Sequence, residues 1–295
     1  MGSFKALTFA SVVALASIQT AKAADLLPPP PPIEAPLRGP VIEESGFYMR
    51  ADAGLSNTNM SGLRSTFGDG STFATLGATE GNSSIGDPGI LDLGFGYQIN
   101  SWLRADLTGE YRSAVNYTSN NSYAWGTTGT NNTLCTTGSG ISCGDSYAAT
   151  LKTGLVLANG YLDMGTWYGF TPYVGAGVGT AIYQVTGLKD TGTIPTASSG
   201  TLTSFGYGAN HSGMNFAFAG MAGVSYHIMP NLLLDVGYRY VDMGTINTGV
   251  ISCNNLNGCH YETQHFRLTS NDIRVGLRWM MAQQAYYDPG VRAKY

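Results

Sequence analysis

Charged residues and long apolar runs are both scarce in this sequence. Only 12% of the 295 residues are Asp, Glu, Lys or Arg, and the formal net charge is −4. An acidic chain argues against nucleic acid as a partner. Beyond its first residues the chain has no apolar run of about 20 residues, the length that a membrane helix requires. With 40 Gly and 18 Tyr, the composition instead favours an all-β protein.

The first 23 residues have the form of an export signal. One cation, Lys5, precedes the apolar run from Ala6 to Ile18, and Ala21-Lys22-Ala23 matches the Ala-x-Ala cleavage pattern. Removing Lys5 and Lys22 lowers the formal net charge from −4 to −6 (13 − 19). The sequence therefore predicts an exported chain with a signal peptide at 1–23.

A proline-rich segment follows the signal. Pro28 to Pro32 stand in a row and prefer an extended polyproline conformation without ladder donors. We expect residues 24–45 to be a periplasmic linker, residues 46–281 a single β domain and residues 282–295 a C-terminal periplasmic tail.

The four cysteines occur as two close pairs, Cys135 with Cys143 and Cys253 with Cys259. Export favours disulfides, and three connectivities exist. The two local pairings are favoured because each pair lies in one predicted loop. A zinc site is the alternative, although no paired Cys-x-x-Cys spacing supports it.

Apolar and polar residues alternate in eight segments, which is typical of two-faced strands. Phe47, Met49 and Ala51 alternate with Arg50 and Asp52, for example. The predicted strands begin near Gly46, Leu91, Leu103, Tyr147, Thr171, Phe216, Leu232 and Asn271. One hairpin is used twice, since Gly94, Tyr97, Ile99, Leu103, Asp106 and Tyr111 recur 129 residues later as Gly223, Tyr226, Ile228, Leu232, Asp235 and Tyr240.

The connections alternate between a few residues and roughly 25 to 35 residues, which is the asymmetry of outer-membrane barrels and is unusual in a soluble sandwich. The fold prediction is an eight-stranded antiparallel up-and-down transmembrane β-barrel with short periplasmic turns and four long extracellular loops.

The charged side of each strand must face the lumen, because a Lys or Arg facing lipid at mid-bilayer costs about 2 to 4 kcal/mol. The interior of such a barrel is just wide enough to be filled by side chains, so a wide pore is not expected. Asp52 is the predicted partner of Arg274. The predicted lumen charge network consists of Arg50, Asp52, Asp92, Arg104, Asp106, Glu110, Lys152, Asp235, Arg239, Asp272 and Arg274.

Four stretches of the chain resemble the small OmpA-like and opacity-protein-like outer-membrane barrels and surface antigens of alphaproteobacteria: Ala23 to Leu27 with the proline run, Ser45 to Gly54, Gly165 to Gly177 and Asn271 to Trp279. This resemblance implies outer-membrane localisation in a Gram-negative cell. It also implies contact with outer-membrane lipid and lipopolysaccharide, and recognition by the barrel-assembly machinery through Arg274, Gly276, Trp279 and Met281.

Three classes of function remain open. The leading one is a non-enzymatic structural barrel whose loops meet a surface ligand or host partner. The second is a narrow channel or a barrel for uptake of a haem-like ligand. The third is a lipid A-modifying enzyme, for which Ser225 with His227, or His260 with Glu262, are weak candidates. The first pair lies beside a predicted short turn, the second lies in a predicted loop, and no His-Glu-x-x-His motif is present. We predict no catalytic, cofactor-binding or metal-binding residues and no cofactor.

Overall fold

The computed structural model describes residues 45–68, 70, 72, 78–123, 143–195, 201–253 and 261–281. All of them belong to the compact unit Ile42–Tyr295. The predicted signal peptide, all but the last residue of the predicted linker, and the predicted tail at 282–295 lie outside the described residues.

The described residues form antiparallel strands, and they include no helix long and apolar enough to span a membrane. The strands are β1 (Gly46–Phe67), β2 (Ala78–Ile85), β3 (Gly89–Gln98), β4 (Leu103–Tyr123), β5 (Gly144–Asp163), β6 (Phe170–Pro195), β7 (Thr201–Gly208), β8 (His211–Met229), β9 (Leu232–Asn247), β10 (Ile251–Cys253) and β11 (Glu262–Met280).

Eight of these strands form a closed ring in the order β1, β3, β4, β5, β6, β8, β9 and β11, and β11 pairs again with β1. Following paired residues once round the ring from Met49 returns to β1 at Asn59, ten residues further along. Such a stagger requires strands tilted by about 35–45° to the barrel axis. The predicted eight-stranded up-and-down barrel is confirmed.

Both copies of the repeated hairpin form. β3 pairs with β4 with Gly94 opposite Thr108, and β8 pairs with β9 with Gly223 opposite Gly237. The two pairs are again 129 residues apart, so the repeat preserves register as well as sequence.

The barrel is apolar outside and polar inside. Large apolar side chains such as Leu91, Leu93 and Ile273 are more than half exposed on the outer wall, whereas Arg104 and Arg112 are fully buried inside. We call the outward apolar surface the apolar band. It reaches from Phe47, Trp102, Trp167 and Trp279 near the short turns to Leu55, Tyr111, Ile182, Met214, Tyr240 and Ile273.

One strand has the opposite phase to the prediction. On β5 the side chains of Leu151, Leu155 and Leu157 point inward and are buried, while Lys152 is exposed on the outer wall. Both faces of this strand carry apolar residues, because its upper inward side chains join an apolar cluster in the lumen. Alternation of polar and apolar residues therefore could not set its phase.

The strands also run well past the predicted ends. β1 continues to Phe67, β4 to Tyr123 and β6 to Pro195, and β2, β7 and β10 lie in stretches predicted as loops. Outward residues there are polar, such as Asn57, Asn116 and Thr118, so the apolar alternation that marks a half-buried strand is missing. We call the part of the barrel beyond the apolar band the projecting wall.

Inward tyrosines lie over glycines on neighbouring strands. Tyr48 is opposite Gly96, and Tyr161 is opposite Gly175. A Cβ on Gly96 would lie 2.4 Å from the Tyr48 ring, and one on Gly175 would lie 2.6 Å from the Tyr161 ring. Two further pairs, Tyr173 with Gly223 and Tyr183 with Gly213, have the same arrangement. At these four positions the absence of a Cβ leaves room for an aromatic ring.

Candidate functional site: the lumen and the projecting wall

The lumen near the short turns is crossed by ion pairs. Arg50 on β1 donates from Nε and Nη2 to the two oxygens of Asp52, each at 2.8 Å. Its Nη1 donates to Asp106 on β4 at 3.2 Å and to the Tyr161 hydroxyl on β5 at 3.0 Å. All of these groups are at most 6% exposed, so the guanidinium has exchanged water for three protein partners.

Arg104 is held by aromatic rings as well as by charge. Its Nε donates to Asp163 at 3.1 Å. Its guanidinium carbon lies 4.1 Å from the Tyr161 ring centre and 4.7 Å from that of Tyr173. Cation–π contacts of this kind are strongest when desolvated, as here.

The middle of the lumen holds two arginines between the same two acids. Arg112 donates to Glu110 at 2.6 Å and to Asp272 at 2.7 Å. Arg239 donates to Asp272 at 2.7 Å and also to Glu110. Since Arg239 is on β9 and Glu110 is on β4, this bond spans the barrel rather than joining neighbouring strands.

Arg274 was expected to pair with Asp52, and that expectation is wrong. Its Nη1 donates to Asp92 on β3 at 3.0 Å, while both Asp52 oxygens are used by Arg50. Arg274 is opposite Gly54, and the Asp52 side chain lies over Gly276. The arginine therefore passes over Gly54 of its neighbour strand β1 and reaches β3, the next strand of the ring.

Ten of the eleven predicted network residues are buried in the lumen, and the exception is Lys152. Its place on the outer wall follows from the phase of β5. The predicted network also leaves out Arg112, Asp163 and Arg278, which pair with Glu110, Arg104 and Asp235. Arg112 and Arg278 are an even number of residues from the inward Glu110 and Arg274, so strand parity places both in the lumen. Parity could not identify Asp163, because it is on β5, whose phase the alternation did not set.

Next to these charges the lumen contains a buried apolar cluster. The Tyr117 and Phe266 rings stack with centres 5.0 Å apart, and both belong to this cluster with Leu151, Leu155 and Leu268. The barrel interior thus has an ionic layer beside the short turns and an apolar layer further towards the long connections.

The weak catalytic candidates are not assembled into a hydrolytic site among the described residues. Ser225 donates to Asp235 and accepts from Arg278 at 3.0 Å, which are structural roles in the ionic layer. Glu262 accepts from Tyr147 and Gln264, and His260 lies outside the described residues. No group of three or more His, Cys, Asp or Glu in the described part of the chain is arranged to hold a metal ion.

Cys143 is buried. Cys135 and Cys259 lie outside the described residues, so the local pairing stays a prediction.

At the short-turn end of the barrel, the residues of the predicted assembly signal close the ring. Gly276 is opposite Asp52, Trp279 is opposite Met49, and the Met281 N–H donates to the Phe47 carbonyl at 2.9 Å.

A sequence-family model described as "Outer membrane protein beta-barrel domain" matches residues 9–279. The chain belongs to this outer-membrane β-barrel family. An uncharacterized protein of Brucella abortus is 32% identical over 233 residues, covering 77% of each chain. A candidate adhesin of Rickettsia prowazekii is 25% identical over 245 residues, covering 80% of this chain and 88% of its own.

Solved structures of small outer-membrane barrels are also similar. Neisserial surface protein A has 17% identity and a TM-score of 0.36, with 80% of this chain and 97% of that one covered. OprG from Pseudomonas aeruginosa has 14% identity and a TM-score of 0.43, with 80% and 96% covered. The family assignment depends on the family model and the Brucella relatives, and it places this barrel in the Gram-negative outer membrane.

In this family context the projecting wall lies outside the bilayer, and it contains three neighbouring carboxyl groups, Asp145, Asp190 and Glu262. Burial raises the pKa of Glu262 to about 7, although the hydrogen bond that Tyr147 donates opposes that shift. Burial and the nearby charges of Asp145 and Glu262 raise the pKa of Asp190 to about 8. These groups therefore bind protons more tightly in the folded wall than in an unfolded chain.

We expect the projecting wall to lose stability as the pH rises from about 4.5 to about 8. The folded state holds more protons than the unfolded state across this window, so the free energy of unfolding falls as the pH rises. Hydrogen exchange of the β11 amides near Glu262 should be faster at pH 8 than at pH 5. Glu262→Gln should flatten this dependence, and an unchanged pH profile in that variant would contradict the assignment.

Proposed function

We propose that this protein is a non-enzymatic outer-membrane surface barrel. In this proposal the filled lumen makes it a rigid support, and the projecting wall meets partners at the cell surface. The observation that carries the proposal is the difference between the two parts: bonds such as Arg239 to Glu110 cross the lumen, while the wall above the apolar band presents polar side chains. The candidate adhesin among its relatives supports a binding role.

The proposal includes the route to the membrane. We propose export with cleavage after Ala23, assembly through the signal at Arg274 to Met281, and lipopolysaccharide around the upper edge of the apolar band. Outward Lys152 supports the last point, because it lies just beyond Val156 on β5 and is exposed. Ammonium groups at that level suit the phosphates of lipid A.

A lumen filled with side chains predicts a low ion conductance. Refolded protein in planar bilayers should show no stable large conductance, because arginine and carboxylate side chains occupy the cross-section. Steady openings in the wild-type chain would favour the narrow-channel alternative instead.

The binding role can be tested on living cells. A non-adherent Gram-negative strain that displays the chain should bind host cells, and Glu at the exposed wall positions Asn57, Asn59, Asn116, Thr118 and Asn120 should reduce binding several-fold. Ser101→Glu with Pro230→Glu is the matched control, since both residues are exposed at the short-turn end. Heat-modifiable gel migration would verify folding of every variant. Equal reduction by the wall and control variants would contradict the proposal.

A further inference from the structure

The projecting wall has a seam between β1 and β2. Within the apolar band β1 pairs with β3, and that ladder ends where Leu55 is opposite Gly89. Beyond it, one edge of β1 pairs with β11, and β2 pairs with β4. In the described residues no ladder joins β1 to β2, so two strand edges face each other here without sheet pairing.

Side chains partly replace the missing ladder. At the base of the seam the Ser56 N–H donates to the Pro88 carbonyl at 3.1 Å. The next N–H on that edge, from Thr58, donates to Asp87 Oδ1 at 2.8 Å. Further up, the Glu80 carboxylate lies near the backbone of Ser65. Asp87 thus binds a donor that a neighbouring strand would otherwise satisfy.

The direction of the β1 donors follows from strand alternation. Because the N–H groups of Ser56 and Thr58 point away from β11, that of Met60 points the same way, into the seam. A row of strand donors and acceptors at an open edge is a template for an added strand. A lipid chain offers no groups to match such a row.

The seam also has an apolar interior side. Met60 and Leu63 from β1, Ile85 from β2 and Val115 from β4 are partly buried against the apolar cluster of the lumen. An added strand would present alternate side chains to this lining and the others to water.

We propose that the seam between β1 and β2 accepts an extended segment of a partner polypeptide, which adds as a strand to the edge of β1. Its carbonyls replace the carboxylate of Asp87 on the Thr58 N–H and accept from the Met60 N–H. The released Asp87 carboxylate and the nearby Glu80 carboxylate attract flanking Lys or Arg. This inference rests on the proposed surface-binding function and gives it a partner of defined chemistry.

The location favours a partner from the aqueous side. Met60 is five residues beyond Leu55, the last outward apolar residue of β1 in the band, and its outward neighbours Asn57, Asn59 and Ser61 are polar and exposed. A second copy of this chain could pair with the edge of β1 through the same backbone groups. Self-association that increases with protein concentration would therefore contradict the proposal of a different partner protein.

The direct test uses a synthetic peptide that alternates Val and Thr between terminal Lys pairs. We expect it to bind the refolded full chain in nanodiscs, measured by fluorescence anisotropy, and to protect the Met60 amide from hydrogen exchange. N-methylation of one alternate set of peptide nitrogens should weaken binding about tenfold or more, because it removes ladder donors, while methylation of the other set should have little effect. Equal effects of both sets would overturn strand addition.

Variants of Met60 connect the peptide to the seam. Met60→Pro removes the seam-facing N–H and spares the donors to β11, so peptide binding should fall about tenfold or more, whereas Met60→Leu should bind like the wild-type chain. If Met60→Pro fails the gel-migration test of folding, the methylated peptides decide alone. If a variant lost peptide binding but kept full host-cell adhesion, the seam would not be the adhesive site. The proposed surface function would then still hold.

Discussion

Replacing Arg239 with Met should lower the free energy of unfolding by about 3–5 kcal/mol, the usual cost of removing one partner from a buried ion pair. Arg239 is 1% exposed and donates to both Glu110 and Asp272, which are themselves buried. Without it the two carboxylates keep only Arg112 as a shared partner. Urea-induced unfolding of the refolded barrel, followed by gel migration, would measure the loss.

The matched control is Lys152→Met, which removes a cation of similar length from the outer wall of the same barrel. Lys152 is exposed, so its replacement should change stability by less than about 0.5 kcal/mol. Adding Glu110→Gln to Arg239→Met should recover part of the loss, because one uncompensated charge is then gone. If the Arg239 and Lys152 variants were equally stable, the lumen pairs would contribute nothing to the fold.

The apolar band could be predicted from the sequence because most strands there face lipid on one side and charged side chains on the other. On β1, β3, β4, β9 and β11 the period of two fixed both the strand and its inward face, including Arg50, Asp92 and Arg239. The eight-strand ring followed from the short turns and the long connections. Ion-pair partners could not be predicted, because Arg239 reaches Glu110 across the lumen, and that distance depends on closure of the ring.

The phase of β5 and the strands of the projecting wall could not be predicted either, and one physical reason accounts for both. On β5, Leu157 packs into the apolar layer of the lumen while Val156 faces lipid, so the two faces do not differ in polarity. In the projecting wall, outward residues such as Asn116 contact water and inward residues such as Ser119 are polar as well. Where both faces of a strand meet the same kind of surroundings, alternation carries no signal.

Replacing Gly175 with Val should destabilise the barrel by about 2–4 kcal/mol. Its Cβ would lie 2.6 Å from the Tyr161 ring and 2.9 Å from the backbone oxygen of Gly160, and the backbone cannot move without breaking the β5–β6 ladder. Tyr161 would have to leave its position, where it accepts from Arg50 and lies 4.1 Å from the Arg104 guanidinium. Overpacking of a filled interior typically costs 1–3 kcal/mol, and the disrupted ion pairs add to that cost.

Gly160→Val provides the contrast, because Gly160 is the direct neighbour of the same ring on β5 but faces outward. A Cβ at Gly160 meets nothing within 4 Å, and Val adds apolar surface on a wall that contacts lipid. We expect its unfolding midpoint to equal or exceed that of the wild-type barrel, since Val is also the better strand former. Urea titration of both variants, with near-ultraviolet circular dichroism to report Tyr161, would separate the inward effect from a general intolerance of β-branched residues. Equal destabilisation by the two variants would mean that the Tyr161 ring is not seated on Gly175.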